Sequence, residues 1–468
     1  MPWILTKPDS LREGGKFAFC MEQILLLIYE IGLTAALLVV GPFLLFNRKA
    51  RAGLSQKLGF IPKSLRLRLQ KVSSPAWFHA VSVGEFNAAW PFIEAFHKLF
   101  PDQPIVISTT TATGQALAQE RAGKIATIIY FPFDLPWIIS TWLDLIRPSL
   151  ICIMETELWP CFMEACKRRK IEVVVLNGRM SPRSFRMHRL FASLTGPMLN
   201  KFALIGAQTE AEANRYRSIG GDNLKVTVFG NLKYDGLSAI DSVQTAILQS
   251  ELNIKDKELV FVAGSTHEGE ESMALDVLDM FAKGSSDGGR SLRLIIAPRH
   301  PERFDLVASM ITARGYRVRR HSLRQKFENN SDVYLLDTIG SLSKFYALAS
   351  VAFVGGTIAK VGGHNLVEPY AYGVPVICGP FLYKTKDVAS ILIEKNALKV
   401  GSNRGEVEQL LLHLLADKEL SRTIGNSGKA WLEDNQGAVE RALNSIHPLV
   451  ATQTYNNSLA KGAKVHIR

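Results

Sequence analysis

Cysteine is scarce in this chain, and the spacing of its five residues excludes several kinds of site. No two of them form a C-x-x-C pair, so a zinc knuckle and a thioredoxin-like redox centre lack their ligands. An odd number of scattered cysteines in a long chain is typical of reduced, buried thiols in a cytosolic compartment. The five are Cys20, Cys152, Cys161, Cys166 and Cys378.

Motifs of several metal-dependent and phosphate-dependent enzymes are also missing. The sequence contains no H-E-x-x-H zinc motif, no Gly-Lys-Ser/Thr phosphate loop and no D-x-D metal–nucleotide motif. His267, His300 and His364 do not share the spacing of metal ligands. We therefore expect neither a bound metal nor a cofactor.

Acidic residues are outnumbered by basic ones, 43 to 55, which gives a net charge of +12. Such a balance favours anionic partners (nucleic acid, acidic lipid or a phosphorylated substrate) without choosing among them. Hydrophobic residues make up 47% of the chain and charged residues 21%, which excludes a disordered protein. At ~150 residues per domain, 468 residues predict two or three domains.

One long apolar run, residues 23–46, carries a single charge, Glu30. About 20 apolar residues span a bilayer, so the run predicts a membrane-anchor helix. Glu30 and the Gly41-Pro42 pair weaken a straight span, which leaves a buried or interfacial helix as the alternative. The basic residues that follow outnumber those that precede it and favour a cytoplasmic body: Arg48, Lys49, Arg51 and Lys57.

Beyond this run, short continuous apolar segments alternate with helical patterns. Continuous apolar segments are typical of strands buried on both faces of a parallel sheet, and the alternation indicates α/β doubly wound domains. A polar stretch, residues 233–250, divides the series into two halves. The predicted strands are 77–81, 105–108, 127–130, 150–154, 173–176, 204–207 and 226–229, then 259–263, 292–297, 333–336, 351–354 and 374–378.

This division predicts four parts of the chain. Residues 1–47 form the N-terminal segment and anchor helix, and residues 48–240 form the first α/β domain. Residues 241–452 form the second, and residues 453–468 form a frayed polar tail.

Ligands of open α/β sheets bind beyond the carboxyl ends of the strands, so the residues there are the candidate site. In the first half, Glu85 could take a proton from a hydroxyl, or serve only as a helix-start carboxylate. Glu155 and Glu157 could stabilise charge in a transition state or cap a helix. Lys233 could reach a phosphate or be an ordinary linker lysine.

In the second half, Arg299 and His300 follow a strand and could contact a nucleotide. Glu368 could accept hydrogen bonds from ribose hydroxyls, close to two diglycines that permit a close backbone approach. A run of arginines could bind acceptor phosphates or be a solvated helix face: Arg179, Arg183, Arg186 and Arg189.

Taken together, these segments resemble the 3-deoxy-D-manno-octulosonic acid (Kdo) transferase family of lipopolysaccharide assembly. The resemblance covers residues 75–390, and its specificity lies in the ordered set of short motifs. They are VGEFNAAWP, STTTATG, FPFDLP, METELWP, NGRMSPRS, GNLKYD, AGSTHEGEE, APRHPERF, LDTIGSL, AFVGGT, GGHNLVEP and GVPVICGP.

The resemblance implies an α/β protein of the GT-B fold: two Rossmann-like doubly wound domains facing across a cleft, here with an N-terminal membrane-anchor helix. It implies an inverting glycosyltransferase of the inner membrane, with CMP-Kdo as donor and a lipid A precursor (lipid IVA) as acceptor. Membrane lipid is a further expected partner, and nucleic acid is not.

The resemblance also assigns roles to matching positions. Glu85 becomes the general base on the acceptor hydroxyl, and Glu155 and Lys233 stabilise the transition state. The residues implied to hold CMP are Pro298, Arg299, Ile339, Gly340, Ser341, Asn365, Leu366, Val367 and Glu368.

The sequence departs from the family pattern at two places near the implied nucleotide site. Ser341 stands where the family usually has an acidic residue, and Phe381 and Lys384-Thr385 stand where it usually has His and Asn-Phe. Two rival functions stay open: another GT-B enzyme that uses a UDP-sugar, and a non-catalytic membrane-associated protein that binds nucleic acid. CMP against UDP binding and salt-dependent nucleic-acid binding discriminate them.

Overall fold

The computed structural model describes residues 10–46, 51–284 and 291–460. They divide into two compact units. The first unit holds the described residues up to Gly236 and those from Gln436 onward, and the second is Leu237–Asn435.

A seven-stranded, all-parallel sheet forms the centre of the first unit, with the order β3-β2-β1-β4-β5-β6-β7. The order reverses direction at β1, which is the doubly wound arrangement predicted from the sequence. The strands are β1 (Ala76–His79), β2 (Ile105–Thr109), β3 (Ala126–Tyr130), β4 (Leu150–Met154), β5 (Glu172–Gly178), β6 (Leu204–Ala207) and β7 (Val226–Val228).

Hydroxyl side chains cap the first turns of four helices in this unit. Ser82, Thr111, Ser181 and Thr209 each accept a hydrogen bond from a backbone N–H of the helix they precede. The helices are α1 (Ser10–Phe46), α2 (Leu54–Lys57), α3 (Lys63–Gln70), α4 (Val83–Leu99), α5 (Ala112–Ala122), α6 (Pro136–Ile146), α7 (Pro160–Arg168), α8 (Pro182–Leu190), α9 (Ala192–Leu199), α10 (Glu210–Gly220) and α11 (Leu232–Asp235).

Both faces of this sheet are buried. Along β1, Trp77 packs into a cluster on one face and Phe78 into a cluster on the other. Neighbouring positions of β4 alternate in the same way, with Ile151 on the first face and Cys152 on the second. This is why the strands read as continuous apolar runs.

The second unit has its own seven-stranded parallel sheet, with the order β10-β11-β9-β8-β12-β13-β14. Phe261 packs on one face of it and Val262 on the other. The strands are β8 (Leu259–Thr266), β9 (Leu292–Pro298), β10 (Arg317–Arg320), β11 (Asp332–Leu335), β12 (Val351–Val354), β13 (Val376–Cys378) and β14 (Leu398–Val400).

Among the described residues of the second unit, seven helices accompany this sheet, and one more belongs to the first unit. They are α12 (Ser242–Glu251), α13 (Glu270–Gly284), α14 (Phe304–Ala313), α15 (Leu342–Phe345), α16 (Lys386–Glu394), α17 (Arg404–Ala416) and α18 (Lys418–Asn435), followed by α19 (Ala438–Ala460). Short 3₁₀ turns occupy Pro301–Arg303, Tyr346–Leu348 and Glu368–Tyr372.

Helix α1 contains the one window in the described ranges that is long and apolar enough to cross a membrane. This window is Ile24–Gly41, with a mean hydropathy of 2.3. Leu33 and Leu37 on one side of it pack against the first unit, whereas Leu38 and Val39 are exposed. One face of the helix therefore contacts protein, and the opposite face is available to lipid.

Polar side chains tie this helix to the first unit. The buried Asp134 carboxylate accepts hydrogen bonds from the N–H groups of Cys161 (3.0 Å) and Phe162 (2.7 Å) at the start of α7, and it also bonds the Tyr29 side chain. Cys161 Sγ lies 3.9 Å from Glu30 Oε1. Glu30, the one charged residue of the predicted membrane span, therefore faces protein rather than lipid.

The prediction of two doubly wound α/β halves is confirmed, but two details differ. Edge strands β10 and β14 were missed, because RVRR and LKV are not continuous apolar runs. Lys57 is buried and donates from Nζ to the Thr110 carbonyl at 2.9 Å, so it does not belong to the predicted basic cluster. Arg48 and Lys49 lie outside the described residues.

The boundaries of the units also differ from those expected. The first division falls after Gly236 rather than residue 240, and residues 436–452 belong to the first unit rather than the second. The reason is α19, whose Ala438, Ala442 and Ile446 pack into the core of the first unit. The same helix continues to Ala460, into the segment predicted as a frayed tail.

Candidate active site

Glu85 lies in the first turn of α4, just beyond the carboxyl end of β1. Its Oε2 accepts a hydrogen bond from the Val81 N–H at 2.7 Å, and Ser82 caps the same helix. The side chain is partly exposed, so a ligand can reach the carboxylate. The turn therefore fixes a carboxylate at the edge of the sheet.

Glu155 and Glu157 follow β4, the strand next to β1. Glu155 adopts a left-handed backbone conformation, with φ at 57°, and its N–H donates to the Leu176 carbonyl of β5 at 2.8 Å. A non-glycine residue in this region is strained, and such strain concentrates at functional sites. Lys233 Nζ lies 3.7 Å from Glu155 Oε1.

Lys233 is held in place by backbone contacts of the short helix α11. Asn231 caps that helix and accepts from the Lys233 N–H at 3.1 Å. Asn177 Oδ1 accepts from the Leu232 N–H at 3.0 Å. The Lys233 side chain is about half exposed, so its ammonium group is available to a ligand.

The C-terminal helix α19 holds the other side of α11. Asp235 Oδ2 accepts from the Val439 N–H at 2.6 Å, and Gln436 Nε2 donates to the Tyr234 carbonyl at 3.0 Å. Arg441 Nε donates to the Phe229 carbonyl at 2.7 Å. Residues at the far end of the sequence thus fix the segment that carries Lys233.

The charges of this group act on one another. Burial, together with the negative charges of Glu155 and Glu157, raises the pKa of Glu85 to about 7. The Val81 N–H and the Lys233 ammonium oppose that shift. Burial also raises the pKa of Glu157, with a contribution from Glu155. A carboxylate whose pKa lies near neutrality is suited to general-base work.

Asn177 is a further residue of this group that the sequence analysis did not single out. It is fully buried at the end of β5, with φ at 56°, and its Nδ2 has no hydrogen-bond partner within the described ranges. The one feature of the sequence that could have indicated Asn177 was its position directly after a predicted strand.

The predicted nucleotide residues all follow strands of the second sheet. Pro298 ends β9, and the Arg299 N–H donates to the Thr266 carbonyl of β8 at 3.0 Å. Ile339, Gly340 and Ser341 follow β11. The carboxyl ends of neighbouring parallel strands meet at one edge of a sheet, so these residues share that edge.

Residues 339–341 form an open turn. Ile339 is 62% exposed, and Gly340 has a positive φ of 89° with open space where a Cβ would stand. Ser341 Oγ accepts from Thr338 Oγ1 at 3.2 Å and precedes α15. The turn offers backbone groups rather than charge to a ligand.

Residues 365–368 lead from the diglycine loop into a 3₁₀ turn. Asn365 Nδ2 donates to Glu368 Oε1 at 2.9 Å, and Asn365 Oδ1 accepts from the Val367 N–H at 3.0 Å. Leu366 and Val367 are buried, so only their backbone groups could face a ligand. Burial raises the pKa of Glu368, and the Asn365 amide partly offsets it.

A buried carboxylate positions the loop after β12. Glu270 Oε2 accepts from the N–H groups of His267 and Gly356, each at 2.8 Å. Its Oε1 accepts from three further N–H groups, at 2.9–3.1 Å: Thr357, Ile358 and Ala359. This dense set of bonds fixes the loop that leads to His364.

His267 and His364 meet at this loop, which the sequence did not indicate. Their Nε2 atoms are 2.7 Å apart, and their ring planes are parallel to within 3°. Among the residues that the structure describes, no group of three or more His, Cys, Asp or Glu side chains could hold a metal ion.

The predicted arginine run is largely a solvated surface. Arg183, Arg186 and Arg189 lie on α8, which has no buried residues, and all three are exposed. Arg179 is exposed at the end of β5. Exposed guanidinium groups fit a solvated helix face, and they are also accessible to a phosphate.

Comparison with known proteins gives concordant results. A family profile described as 3-deoxy-D-manno-octulosonic-acid transferase (kdotransferase) matches residues 52–236. The chain is 33% identical to the 3-deoxy-D-manno-octulosonic acid transferase of Haemophilus influenzae, over 80% of this chain and 86% of that protein. It is 28% identical to the enzyme of the same name from Chlamydophila psittaci, over 90% of this chain and 95% of that one.

Solved structures of low identity share the fold. The UDP-GlcNAc 2-epimerase of Neisseria meningitidis aligns with a TM-score of 0.53 at 15% identity, over 81% of this chain and all of that one. Such a match concerns architecture alone. Together with the two doubly wound parallel sheets, it supports the predicted GT-B class of fold.

Proposed function

Because this chain belongs to the 3-deoxy-D-manno-octulosonic acid (Kdo) transferase family, we propose that it is an inverting glycosyltransferase that moves Kdo from CMP-Kdo to a lipid A precursor, lipid IVA. The observation that carries the chemistry is Glu85, a partly exposed carboxylate with a pKa of about 7 at the edge of the first sheet.

In this proposal Glu85 takes the proton of the attacking acceptor hydroxyl. The hydroxyl oxygen forms a bond to the anomeric carbon of Kdo, and the bond from that carbon to the phosphate oxygen of CMP breaks. The electron pair leaves with CMP. Attack on the face opposite the leaving group inverts the anomeric configuration.

Charge on the reacting sugar must be balanced while CMP departs. The anomeric centre gains positive oxocarbenium character, which the Glu155 carboxylate would stabilise. Lys233 would balance the carboxylate of Kdo or the phosphate. Fixed charges of this kind act before the reaction begins, so little reorganisation is needed.

The second unit is the proposed CMP site. Arg299 supplies positive charge, and Pro298 and the open turn Ile339–Ser341 supply backbone groups. Glu368 would accept hydrogen bonds from the ribose hydroxyls, and its side chain is bonded to Asn365.

We place the protein on the inner membrane through α1, with both units on the cytoplasmic side. The exposed face of α1 and the net charge of +12 suit an acceptor that is itself phosphorylated and embedded in lipid. Arg51 and the neighbouring Arg48 and Lys49 in the sequence favour this orientation.

The direct test is transfer of Kdo from CMP-Kdo to lipid IVA by the full chain, followed by mass spectrometry. Glu85→Gln should lower kcat by about 10²–10⁴-fold while CMP binding persists. Glu94→Gln, an exposed carboxylate on the same helix, should leave transfer unchanged. An active Glu85→Gln variant would move the base to another residue, and no product from folded wild-type protein would overturn the proposal.

A UDP-sugar transferase is the second candidate, since the fold by itself does not determine which nucleotide the donor carries. Thermal unfolding with CMP and with UDP discriminates the two. Stabilisation by CMP alone supports the Kdo donor, and stabilisation by UDP alone supports the rival.

A further inference from the structure

The contact between His267 and His364 has a geometry that restricts its protons. His267 follows β8, and His364 lies in the loop after β12, 97 residues later. The rings are 3° from parallel, with centroids 5.0 Å apart and Nε2 atoms 2.7 Å apart. His300 packs edge-on to His267, at 5.3 Å between centroids.

A nitrogen–nitrogen contact of this length requires a single bridging proton. One imidazole donates from Nε2 and the other accepts, so only one ring carries an Nε2–H. With a proton on both Nε2 atoms, two donors would face each other and the contact would open. A second Nε2–H arises when the accepting ring takes up a proton or when its own proton shifts from Nδ1, and in either case another group must accept both hydrogen bonds.

The surroundings of the pair are predominantly cationic. Arg299, Lys384 and His300 face His364, and burial, followed by these charges and His267, lowers the pKa of His364 to about 4. Arg299, Arg303 and His300 also face His267, and Glu270 is the acidic group that opposes them. Burial is the main cause of the lowered pKa of His267.

The nearby carboxylates have other partners. Glu270 accepts the backbone N–H groups of the loop, and Glu271 is paired with Arg303 at 3.0 Å. Arg299 and Lys384 therefore add positive charge that these carboxylates do not directly neutralise. An anion bound there would stabilise the protonated form of both imidazoles.

The place of the pair in the fold suits the phosphate of a nucleotide. His267 follows β8, the first strand of the second unit, and β9 and β12 lie on the two sides of that strand. Ligands of doubly wound sheets bind at this reversal of strand order. The same edge carries Arg299 and the proposed CMP residues.

We propose that His267 and His364 bind the phosphate of the nucleotide donor and that the pair takes up a proton as the phosphate binds. This inference rests on the proposed function, because it takes the donor to be a CMP-sugar. The bridging contact opens, each Nε2–H donates to a phosphate oxygen, and the proton comes from solvent. Donor affinity consequently rises as the pH falls.

The probe is the methyl ester of CMP, a phosphodiester like the donor that keeps one negative charge across the pH range used. Calorimetric titration of the full chain between about pH 6 and about pH 8 should show affinity rising as pH falls. The limit is about tenfold per pH unit for uptake of one proton. Titrations in two buffers of different ionisation enthalpy measure the protons taken up.

Two variants test the assignment. His364→Gln and His267→Gln should each weaken binding at the low-pH end and remove the pH dependence. His413→Gln, an exposed residue of α17, should retain it. Cytidine, which lacks the phosphate, should bind with no pH dependence.

The inference is overturned if wild-type affinity for the ester does not change with pH, if both variants keep the wild-type dependence, or if cytidine shows it equally. Kdo transfer is measured on the same samples. Active transfer together with pH-independent binding overturns this inference and leaves the proposed function standing. Absence of both transfer and ester binding in folded wild-type protein overturns the two together.

Discussion

Lys233 Nζ lies 3.7 Å from Glu155 Oε1, although one residue follows β7 and the other follows β4. Both side chains are partly exposed, so the pair is not a buried structural ion pair. Together with Glu85 and Glu157 they form a group of four charges at one edge of the first sheet. The predictions for activity follow from how these charges act on Glu85.

Removing the charge of Glu157 should make Glu85 easier to ionise. Glu157 contributes to the raised pKa of Glu85, so Glu157→Gln should lower that pKa. As the proposed base, Glu85 must be ionised to act, so kcat/KM of the wild type should fall as pH drops below about 7. In the variant this acid limb should move to lower pH, as measured by Kdo transfer across a pH series. Glu94→Gln should leave the limb in place.

Removing the charge of Lys233 should have the opposite effect on the limb. The ammonium group lowers the pKa of Glu85, so Lys233→Met should raise it and move the acid limb to higher pH. Loss of one electrostatic contact to the transition state should also cost about 10²–10³-fold in kcat. A limb that stays in place in both the Glu157 and Lys233 variants would show that Glu85 does not control the profile.

The buried His79 should make the fold sensitive to acid. Its ring stacks on Phe131 at 3.9 Å, and Nδ1 is 2.9 Å from Ser108 Oγ. Burial lowers its pKa from 6.5 to about 3. Between these values the unfolded chain binds a proton that the folded chain does not, so this residue removes stability as pH falls, by about 5 kcal/mol in full.

Above pH 6.5, His79 is neutral in the folded and in the unfolded chain, so it should not lower the free energy of unfolding in this way. The free energy of unfolding of His79→Gln should therefore fall less steeply than that of the wild type as the pH drops below 6.5. Urea titrations at several pH values measure this slope. His413→Gln, which is exposed, should follow the wild type.

The ion pair of Arg293 and Glu258 should matter for the second unit. The two side chains are 5% and 8% exposed, with Nη2 and Oε1 2.6 Å apart. Removing one partner leaves a buried charge without compensation, so Glu258→Gln should cost about 3–5 kcal/mol of unfolding free energy. Glu419→Gln, in an exposed pair with Arg422, should cost at most about 1 kcal/mol. Equal losses in denaturant titrations would contradict this ranking.

The central strands could be predicted because burial on both faces leaves a continuous apolar run. Leu150–Met154 and Val351–Val354 match their predicted bounds for this reason. Edge strands are buried less completely, and the charged β10 (Arg317–Arg320) carries no such pattern. The return of α19 to the first unit depends on contacts between distant residues, which local pattern does not encode.

The candidate site was predictable only in part. Glu85 and Lys233 could be found because they follow strands and match family motifs. The histidine pair could not, because the 97 residues between His267 and His364 hide a contact that the parallel sheet creates. Lys57 was misassigned because a basic residue beside an apolar run resembles a membrane flank, whereas here its ammonium group donates to the Thr110 carbonyl.

Because α19 packs into the first unit, the two units can complete their folding at different times during synthesis. The ribosome makes the entire second unit before Val439 and Arg441, whose backbone and side chain hold the segment around Lys233. The second unit can fold as soon as it emerges, but the first must wait with an incomplete core. On the proposed assignment of the CMP site and of Glu85, nascent chains should bind nucleotide before the segment around Lys233 is held in place, and premature termination would damage the half that was translated first.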